Sequence, residues 1–409
     1  MTSRSLALPG RPRRARAAVR VAALVAGAAV LGQAATAGAA TDSWTVPADA
    51  KIVIKGHGYG HGHGMSQYGA EGAARAGLTF KRISRFYYPG TTWGESGGKI
   101  SVLISADTTD NVIVLARERL RVWDVAARTS TALPTGTAKR WRLSPSGAGT
   151  VLAYRDTAWH TFATFTGEAE FRAKGEPITL VTPTAQKDYR GRLRSAAPSP
   201  GSASRDTVNI VNLDTYLRGV VPLEMPALWS PEAVKAQAVA ARTYAAYERE
   251  HPRAAHYQIC DTTSCQVYGG ASAEHPASDA AIAATARQVL LADGVPACTM
   301  FASSSGGWTS AASAPYLVAK EDPYDDWAGN PVHDWSATFT DDAIEAKYPA
   351  IGDLQRIVVV ARDGNGDWGG RVTSLRLVGS KSQVTVSGDT LRSALGLRST
   401  WVTFAVKTA

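Results

Sequence analysis

The chain has 409 residues and a formal net charge of +9, from 44 basic and 35 acidic side chains. Six arginines lie in the first 20 residues; without them the balance is 38 basic to 35 acidic residues, a net charge of +3. This small excess excludes a strong electrostatic footprint for nucleic acid, and we predict no nucleic-acid partner.

The first forty residues have the composition of a targeting segment. The arginine-rich stretch contains no acidic residue, an apolar run follows over residues 21–35, and small residues fill positions 36–40. This order is typical of a cleavable secretory signal, so we predict a signal peptide over residues 1–40 and a secreted, extracellular or cell-wall location. An uncleaved membrane anchor is the alternative, although the apolar run is short and rich in alanine and glycine.

The segment over residues 41–98 contains the stretch GHGYGHGHGMSQYGA at positions 56–70. Its three histidines, His57, His61 and His63, are separated by glycines. Alternation along a strand would place all three on one face, where imidazoles can bind a metal. An alanine-rich run over residues 70–76 permits a helix.

The rest of the chain divides by composition at about position 206. Residues 99–205 alternate between apolar and polar positions and predict strands, ending in a flexible loop rich in proline, serine and glycine at 195–204. Residues 206–409 begin with helix signals and end in further predicted strands over 355–386. We therefore predict an α+β fold of mostly antiparallel strands, with alanine-rich helices that carry the active-site motif.

Three helices are predicted in the second half. Asp214 can cap the first. The second begins at Ser230-Pro231-Glu232, where an N-cap serine, a proline at the first position and an early acid coincide, and it runs to His251-Pro252. The third is an alanine-rich run from Glu274 to Arg287.

Glu224 is the strongest candidate for chemistry. It lies between Pro222 and Pro226 in an apolar stretch, VVPLEMPALW, at positions 220–229. Desolvation in such surroundings raises the pKa of a carboxyl group, which suits a general acid. A surface glutamate on a turn is the alternative that the spacing leaves open.

The same region carries a resemblance to a known family. The runs YLRGVVPLEMP (216–226) and EAVKAQAVAARTY (232–244) follow almost continuously the core motif of the stage II sporulation protein D and LytB-like family. Similar pieces occur at Tyr189-Arg190-Gly191, at Ser303–Gly307 and near the C-terminus. The resemblance extends over nearly all of residues 50–405.

Family membership would imply a lytic transglycosylase that cleaves peptidoglycan glycan strands between N-acetylmuramic acid and N-acetylglucosamine. The family's catalytic glutamate falls on Glu224. One carboxyl group suffices for this reaction: it protonates the glycosidic oxygen and then accepts the proton of the sugar's 6-hydroxyl as a 1,6-anhydro ring closes. An ordinary glycosidase needs a second carboxylate. Asp214 and Glu232 are nearby in sequence, but we interpret them as a helix cap and a first-turn charge.

The resemblance also implies a set of substrate-binding residues. On the helix after Glu224, Lys235 and Arg242 share a stripe and could contact sugar hydroxyls or carboxylates, with a solvated face or a salt bridge to Glu232 as the alternative. Gln237 would brace Glu224. The predicted substrate-binding residues are Lys235, Gln237, Arg242, Tyr244, His61, Ser66, Gln67, Ser303 and Ser305.

The glycine and histidine stretch resembles a family signature in which His61, Ser66 and Gln67 are fixed positions. His57 and His63 fall where the family tolerates other residues, so we predict no metal there and a hydrogen-bonding wall of a glycan cleft instead. In the sporulation proteins this signature follows the glutamate motif, whereas here it precedes it. Because domain termini often lie close together, such a permutation can preserve the cleft.

The three cysteines are Cys260, Cys265 and Cys298. Some relatives hold zinc at the position of Cys260 and Cys265. This chain lacks a histidine immediately before Cys265, and in a secreted protein we predict a Cys260–Cys265 disulfide, with no cofactor and Cys298 free. Zinc, with His256 and Cys298 as possible further ligands, is the alternative.

Two other functions compete with glycan cleavage. Some LytB-like relatives are wall-binding modules that enhance a cell-wall amidase, and such a module can retain the motif. A metal-dependent hydrolase would need a ligand set with settled spacing, which the sequence does not contain. The predicted partners are therefore peptidoglycan glycan strands and, in the enhancer hypothesis, an amidase.

Overall fold

The computed structural model describes residues 42–408, and the predicted signal peptide over residues 1–40 lies outside them. In chain order the strands are β1 (Ser43–Thr45), β2 (Lys51–His57), β3 (Met65–Ser66), β4 (Thr92–Glu95), β5 (Lys99–Leu103), β6 (Val112–Leu115), β7 (Arg121–Asp124), β8 (Thr129–Ala132), β9 (Arg140–Ser146), β10 (Gly149–Arg155), β11 (Trp159–Phe165), β12 (Ala169–Arg172), β13 (Ile178–Val181), β14 (Gln186–Tyr189), β15 (Arg192–Ala196), β16 (Asp206–Asn212), β17 (Ile259–Cys260), β18 (Gln288–Ala292), β19 (Val295–Pro296), β20 (Phe301–Ala302), β21 (Asp334–Thr340), β22 (Leu354–Arg362), β23 (Val372–Gly379), β24 (Gln383–Ser387) and β25 (Val402–Lys407). The helices are α1 (Gln67–Arg75), α2 (Phe80–Tyr87), α3 (Leu213–Arg218), α4 (Val221–Glu224), α5 (Pro231–Glu250), α6 (Pro276–Ala284), α7 (Asp341–Glu345) and α8 (Gly388–Leu395).

The predicted α+β class is confirmed. A seven-stranded sheet has the order β17-β5-β16-β15-β12-β7-β8, and a six-stranded sheet has the order β11-β10-β9-β6-β13-β14. The smaller sheets are β1-β22-β23-β24, β21-β2-β25, β19-β18-β4 and β20-β3. Among the described strands, pairing is antiparallel except between β17 and β5 and between β20 and β3.

The long helix α5 organises the larger of two hydrophobic cores. It begins and ends where the sequence predicts, with Pro231 in its first turn and His251 after its last residue. Most of its alanines are fully buried, and α1, α2, α3, α6 and β18 pack against it. Small side chains let these elements approach closely, so the alanine-rich composition follows from central packing rather than from helix propensity alone.

The N-terminal strand β2 lies in the second core. It pairs with β21 on one side and β25 on the other, and its inward residues Ile52 and Ile54 are fully buried. The segment that opens the described chain is thereby integrated with the C-terminal strands. The predicted boundaries at positions 98 and 205 stay predictions, although β5 and β16 pair across the second one.

Two helix predictions need correction. Asp214 is not a cap: Asn212 holds the N-cap position of α3, and Asp214 pairs with a side chain of α5. The third predicted helix is shorter than expected, because Pro276 starts α6 and the nitrogen Nδ1 of His275 accepts from the Ala277 N–H. No helix within residues 42–408 is long and apolar enough to cross a membrane.

Candidate active site

Glu224 ends the one-turn helix α4 and lines a cleft of about 560 Å³. Val220 and Val221 before it and Met225 after it are buried, which holds the turn in the core and leaves the carboxyl group at the cleft wall. Its Oε1 atom accepts one hydrogen bond, from the Val267 N–H at 2.9 Å. Burial raises the pKa of Glu224, and this hydrogen bond only partly offsets the effect. The carboxyl group is therefore suited to hold a proton.

Gln266, the residue before Val267, holds this segment in place through two hydrogen bonds. The buried side chain of Gln266 donates to the Ala241 carbonyl of α5 at 3.1 Å and accepts from the Tyr216 hydroxyl at 3.2 Å. Upstream, a disulfide joins Cys260 and Cys265. The donor to Glu224 is thus positioned by α3, α5 and the disulfide loop together.

The opposite wall of the cleft comes from the signature segment, where His61 is half-buried. Burial, and then the neighbouring His63 and Arg371, lower the pKa of His61 to about 4. Its Nδ1 atom accepts the His63 backbone N–H at 2.9 Å, so the neutral ring carries its proton on Nε2. His61 is therefore an uncharged side chain near neutral pH.

The glycines of the signature allow close packing on the 300–306 segment. Gly58 has φ +73°, and a Cβ there would lie 2.7 Å from the Ser304 carbonyl oxygen. Gly64 has φ +68°, and a Cβ there would collide with the Met300 carbonyl oxygen. Both positions combine left-handed backbone with direct backbone contact, which only glycine accommodates without strain.

Two buried aspartates fix the serine loop against the signature. Asp325 accepts from the Ser66 hydroxyl at 2.5 Å and the Ser304 hydroxyl at 2.7 Å, while Asp322 accepts from the Ser305 hydroxyl at 2.8 Å. Burial and the neighbouring Asp325 raise the pKa of Asp322 to about 7. The serine-rich composition thus supplies hydroxyl donors to buried carboxylates.

Four of the nine predicted substrate-binding residues line the cleft with Glu224. These residues are His61, Gln67, Tyr244 and Ser303. Ser66 and Ser305 are instead buried and bound to the aspartates, so their predicted substrate contact is corrected to a role in holding the loop. Gln237 is fully buried and contacts Gln67 at 3.5 Å rather than bracing Glu224 directly.

Neither cation of α5 lines the cleft. Arg242 is fully buried, and its Nε donates to Asp214 at 2.6 Å, while its other nitrogens donate to the Ile282 and Gln288 carbonyls. Lys235 donates to Glu232 at 2.7 Å, which is the salt bridge named as its alternative. The glycan contact predicted for Arg242 is corrected by its full burial, whereas that of Lys235 stays a prediction.

The three histidines do not share a strand face. Strand β2 ends at His57, whose Nδ1 lies 2.6 Å from Oδ1 of Asp334 and whose ring stacks on Trp368 with the ring centroids 4.4 Å apart. His61 and His63 follow in the glycine turns and stack on each other at 5.0 Å. Residues 42–408 contain no group of three or more potential ligands arranged for a metal ion.

Comparison with known proteins places the glutamate motif in a family. Residues 202–291 match the model of the stage II sporulation protein family, SpoIID. The chain is 29% identical over 263 residues to the stage II sporulation protein D of Bacillus subtilis (strain 168), covering 57% of this chain and 72% of that protein. These matches support a resemblance of this chain to the SpoIID family. The matched part includes Glu224, the Val267 N–H that donates to it, and α5.

A second similarity is to a protein of different name. The chain is 39% identical over 137 residues to the amidase enhancer of Bacillus subtilis (strain 168), covering 32% of this chain. The match spans only 18% of that protein's length. Stage II sporulation protein D of Bacillus amyloliquefaciens is 34% identical over 144 residues, which is 42% of that protein.

The Glu224 cleft contains residues that the sequence did not single out. Tyr59 and Leu223 line it and are the large hydrophobic side chains most open to solvent there, with exposed fractions of 46% and 47%. Tyr59 occupies the aromatic position of the signature, and this position could have identified it as a cleft residue from the sequence. Thr263 and Ser264 of the disulfide loop add hydroxyl groups to the wall.

One of the three cysteines lines the Glu224 cleft. Cys265 lines the cleft and forms a disulfide with Cys260, which lies five residues earlier in the sequence. Cys298 is a free cysteine, and burial raises the pKa of its thiol. His256, the possible zinc ligand, is bound to Asp206 at 2.6 Å instead.

Proposed function

We propose that this protein is a secreted peptidoglycan lytic transglycosylase with Glu224 as its general acid and base. The observation that carries the proposal is the solitary carboxyl group of the cleft: among the described residues that line it, Glu224 alone is acidic. An intramolecular ring closure needs one proton-transferring group, whereas hydrolysis needs a second carboxylate to activate water or form a covalent intermediate.

The proposed reaction uses the raised pKa of Glu224 in its first step. The protonated carboxyl group donates to the glycosidic oxygen as the bond between N-acetylmuramic acid and N-acetylglucosamine breaks. The resulting carboxylate then accepts the proton of the 6-hydroxyl, whose oxygen closes on the anomeric carbon. The Val267 N–H stabilises the charged form between these two steps.

The alternative function is a wall-binding module that enhances an amidase. The similarity to a protein named amidase enhancer favours this second candidate. The open cleft, which is lined by the aromatic side chains of Tyr59 and Tyr244, suits glycan binding in both functions. A wall location in either function is consistent with the signal-peptide prediction.

The decisive experiment is Glu224→Gln assayed on denuded glycan strands. We expect the variant to bind glycan normally and to release 1,6-anhydromuramic products about 10²–10⁴-fold more slowly, the usual contribution of a general acid or base. Glu118→Gln is the matched control, because Glu118 is an exposed glutamate outside the cleft.

Other outcomes separate the candidates. Equal cleavage by wild type and Glu224→Gln would show that the acid is misassigned. Wild-type protein that cleaves no glycan but stimulates an added amidase would establish the enhancer function. Reducing-end products without an anhydro ring would establish ordinary hydrolysis.

A further inference from the structure

The outer face of the seven-stranded sheet carries a cluster of cations remote in sequence from Glu224. Its core face is apolar, with Val122, Phe171 and Leu193 buried beneath. On the outer face, Arg121, Arg172 and Arg192 lie side by side on three adjacent strands, since Arg172 pairs in register with both neighbours. We call Lys99, Arg121, Arg172, Arg192 and Arg194 the basic face.

One carboxylate organises three of these guanidinium groups. Glu170 is fully buried and accepts from Arg172 at 2.6 Å, from Arg192 at 3.0 Å and from Arg194 at 2.9 Å. Each arginine keeps about a quarter of its side chain exposed. A single negative charge holding three positive charges in place leaves an excess of positive charge at the surface.

The remaining cations of the basic face have no acidic partner. Within residues 42–408, Lys99 and Arg121 form no salt bridge, and Arg121 donates to Ser130. Desolvation and then the nearby Arg192 and Arg172 lower the pKa of Lys99, which reflects the positive surroundings. Two further acids border the face: Glu168, 3.6 Å from Arg194, and Asp206, paired with His256. Five cations against three acids leave a net positive surface.

The face also offers a groove. A cleft of about 610 Å³ lies at its edge and is lined by Lys99, Arg194 and Glu168, together with residues 198–200 and 254–258. It shares no lining residue with the Glu224 cleft. A ligand bound along the basic face would leave the active site free.

We propose that the basic face binds a linear polyol-phosphate polymer, that is, a chain of alcohols joined by phosphodiesters. The cations lie on β5, β15, β12 and β7, in a sheet whose strands are about 4.8 Å apart, so the positive charge extends across the sheet and suits a chain of charges better than one small anion. Guanidinium forks match phosphate oxygens in bidentate geometry. The choice of such a polymer rests on the proposed extracellular function.

The aromatic groups of the face argue against single-stranded nucleic acid as the occupant. Such ligands gain affinity by stacking bases on open aromatic rings. Trp123 lies on this face, but the Arg172 guanidinium covers it at 3.9 Å from the ring centroid. Phosphate groups can therefore bind to this face, but nucleic-acid bases have no open aromatic ring on which to stack.

The test is binding of fluorescently labelled poly(glycerol phosphate) to the purified protein over a salt series of about 0.05–0.2 M, a range in which polyanion binding changes steeply. We expect Lys99→Gln combined with Arg121→Gln to reduce the salt slope by about two, because each removed cation contributes about one. The loss of affinity should then shrink about sixteenfold over this range, from about 30- to 100-fold at 0.05 M to about two- to sixfold at 0.2 M. These two residues leave the Glu170 cluster intact, so folding should be preserved.

The matched control removes two exposed cations from other sheets, as Lys51→Gln with Arg356→Gln, and should leave binding unchanged. Equal weakening by both pairs would overturn the proposal, as would no polymer binding by wild type. Tighter binding of single-stranded DNA of equal length would identify nucleic acid as the occupant and also overturn it. Because the assay needs no cleavage, Glu224→Gln should bind the polymer normally even if the transglycosylase proposal fails.

Discussion

Two glutamates eight residues apart show how local surroundings set the chemistry of a side chain. Burial raises the pKa of Glu224, and its single backbone donor offsets only part of this. Burial also acts to raise the pKa of Glu232, but Lys235 and the Phe80 N–H outweigh it and lower the pKa overall. The first carboxyl group can therefore hold a proton for catalysis, while the second is a fixed negative charge at the start of α5.

The raised pKa of Glu224 predicts a dependence of stability on pH. The folded protein retains this proton at pH values where the unfolded chain has released it, so the contribution of Glu224 to stability falls as pH rises through and above its ordinary value. Glu224→Gln removes the buried charge, and we expect the difference between its unfolding free energy and that of wild type to grow as pH rises above about 4, until the raised pKa of the folded state is passed. Urea unfolding across this range measures the difference, and a constant gap would contradict the assignment.

The exposed ring of Tyr59 predicts a role in glycan binding. We expect Tyr59→Ala to raise KM about fivefold with kcat little changed, because an aromatic contact contributes about 1 kcal/mol. Tyr59→Phe keeps the ring and should behave as wild type. A fall in kcat at constant KM would place Tyr59 in the chemistry instead.

At the scale of elements, α5 shows what sequence can and cannot predict. Its start and end follow from local signals at Ser230, Pro231 and His251, and the structure confirms both. The serine hydroxyl, however, accepts no helix N–H and instead contacts Glu71 at 3.1 Å. The role of Arg242 was mispredicted because its partner Asp214 is 28 residues away and meets it only after α3 packs on α5.

The two cations of α5 predict unequal effects on stability. Arg242→Met leaves the Ile282 and Gln288 carbonyls without this donor, and we expect a loss of about 3 kcal/mol, because each unsatisfied buried acceptor costs about 1–3 kcal/mol. Lys235→Met breaks a partly exposed pair and should cost about 0.5 kcal/mol or less. Urea unfolding of both variants provides the comparison, and similar losses would contradict the buried role of Arg242.

At the scale of the whole molecule, the signature segment bridges the two hydrophobic cores. Strand β2 belongs to the core that contains Ile54 and Leu377, and the signature leads from it to α1, which packs on α5 in the other core. The glycine pattern is visible in the sequence, but the cause of the pattern is not. Gly58 and Gly64 pack against the backbone of Ser304 and Met300, about 240 residues later in the chain. Strand β2, near the start of the described chain, pairs directly with the last strand, β25, so the signature lies next to the C-terminal strands.

This arrangement predicts that the two cores open separately. Ile54→Ala should destabilise its own core by about 2–5 kcal/mol, the usual range for a buried isoleucine. Hydrogen exchange should then show lost protection in β2, β22 and β23, with β9 and β10 unchanged, because local opening follows the damaged core. Leu152→Ala, at a fully buried position of β10, is the reciprocal control and should affect β9 and β10 alone. Uniform loss of protection in both variants would mean that the cores unfold as one unit, and the cleft between Glu224 and the signature would then open only on global unfolding.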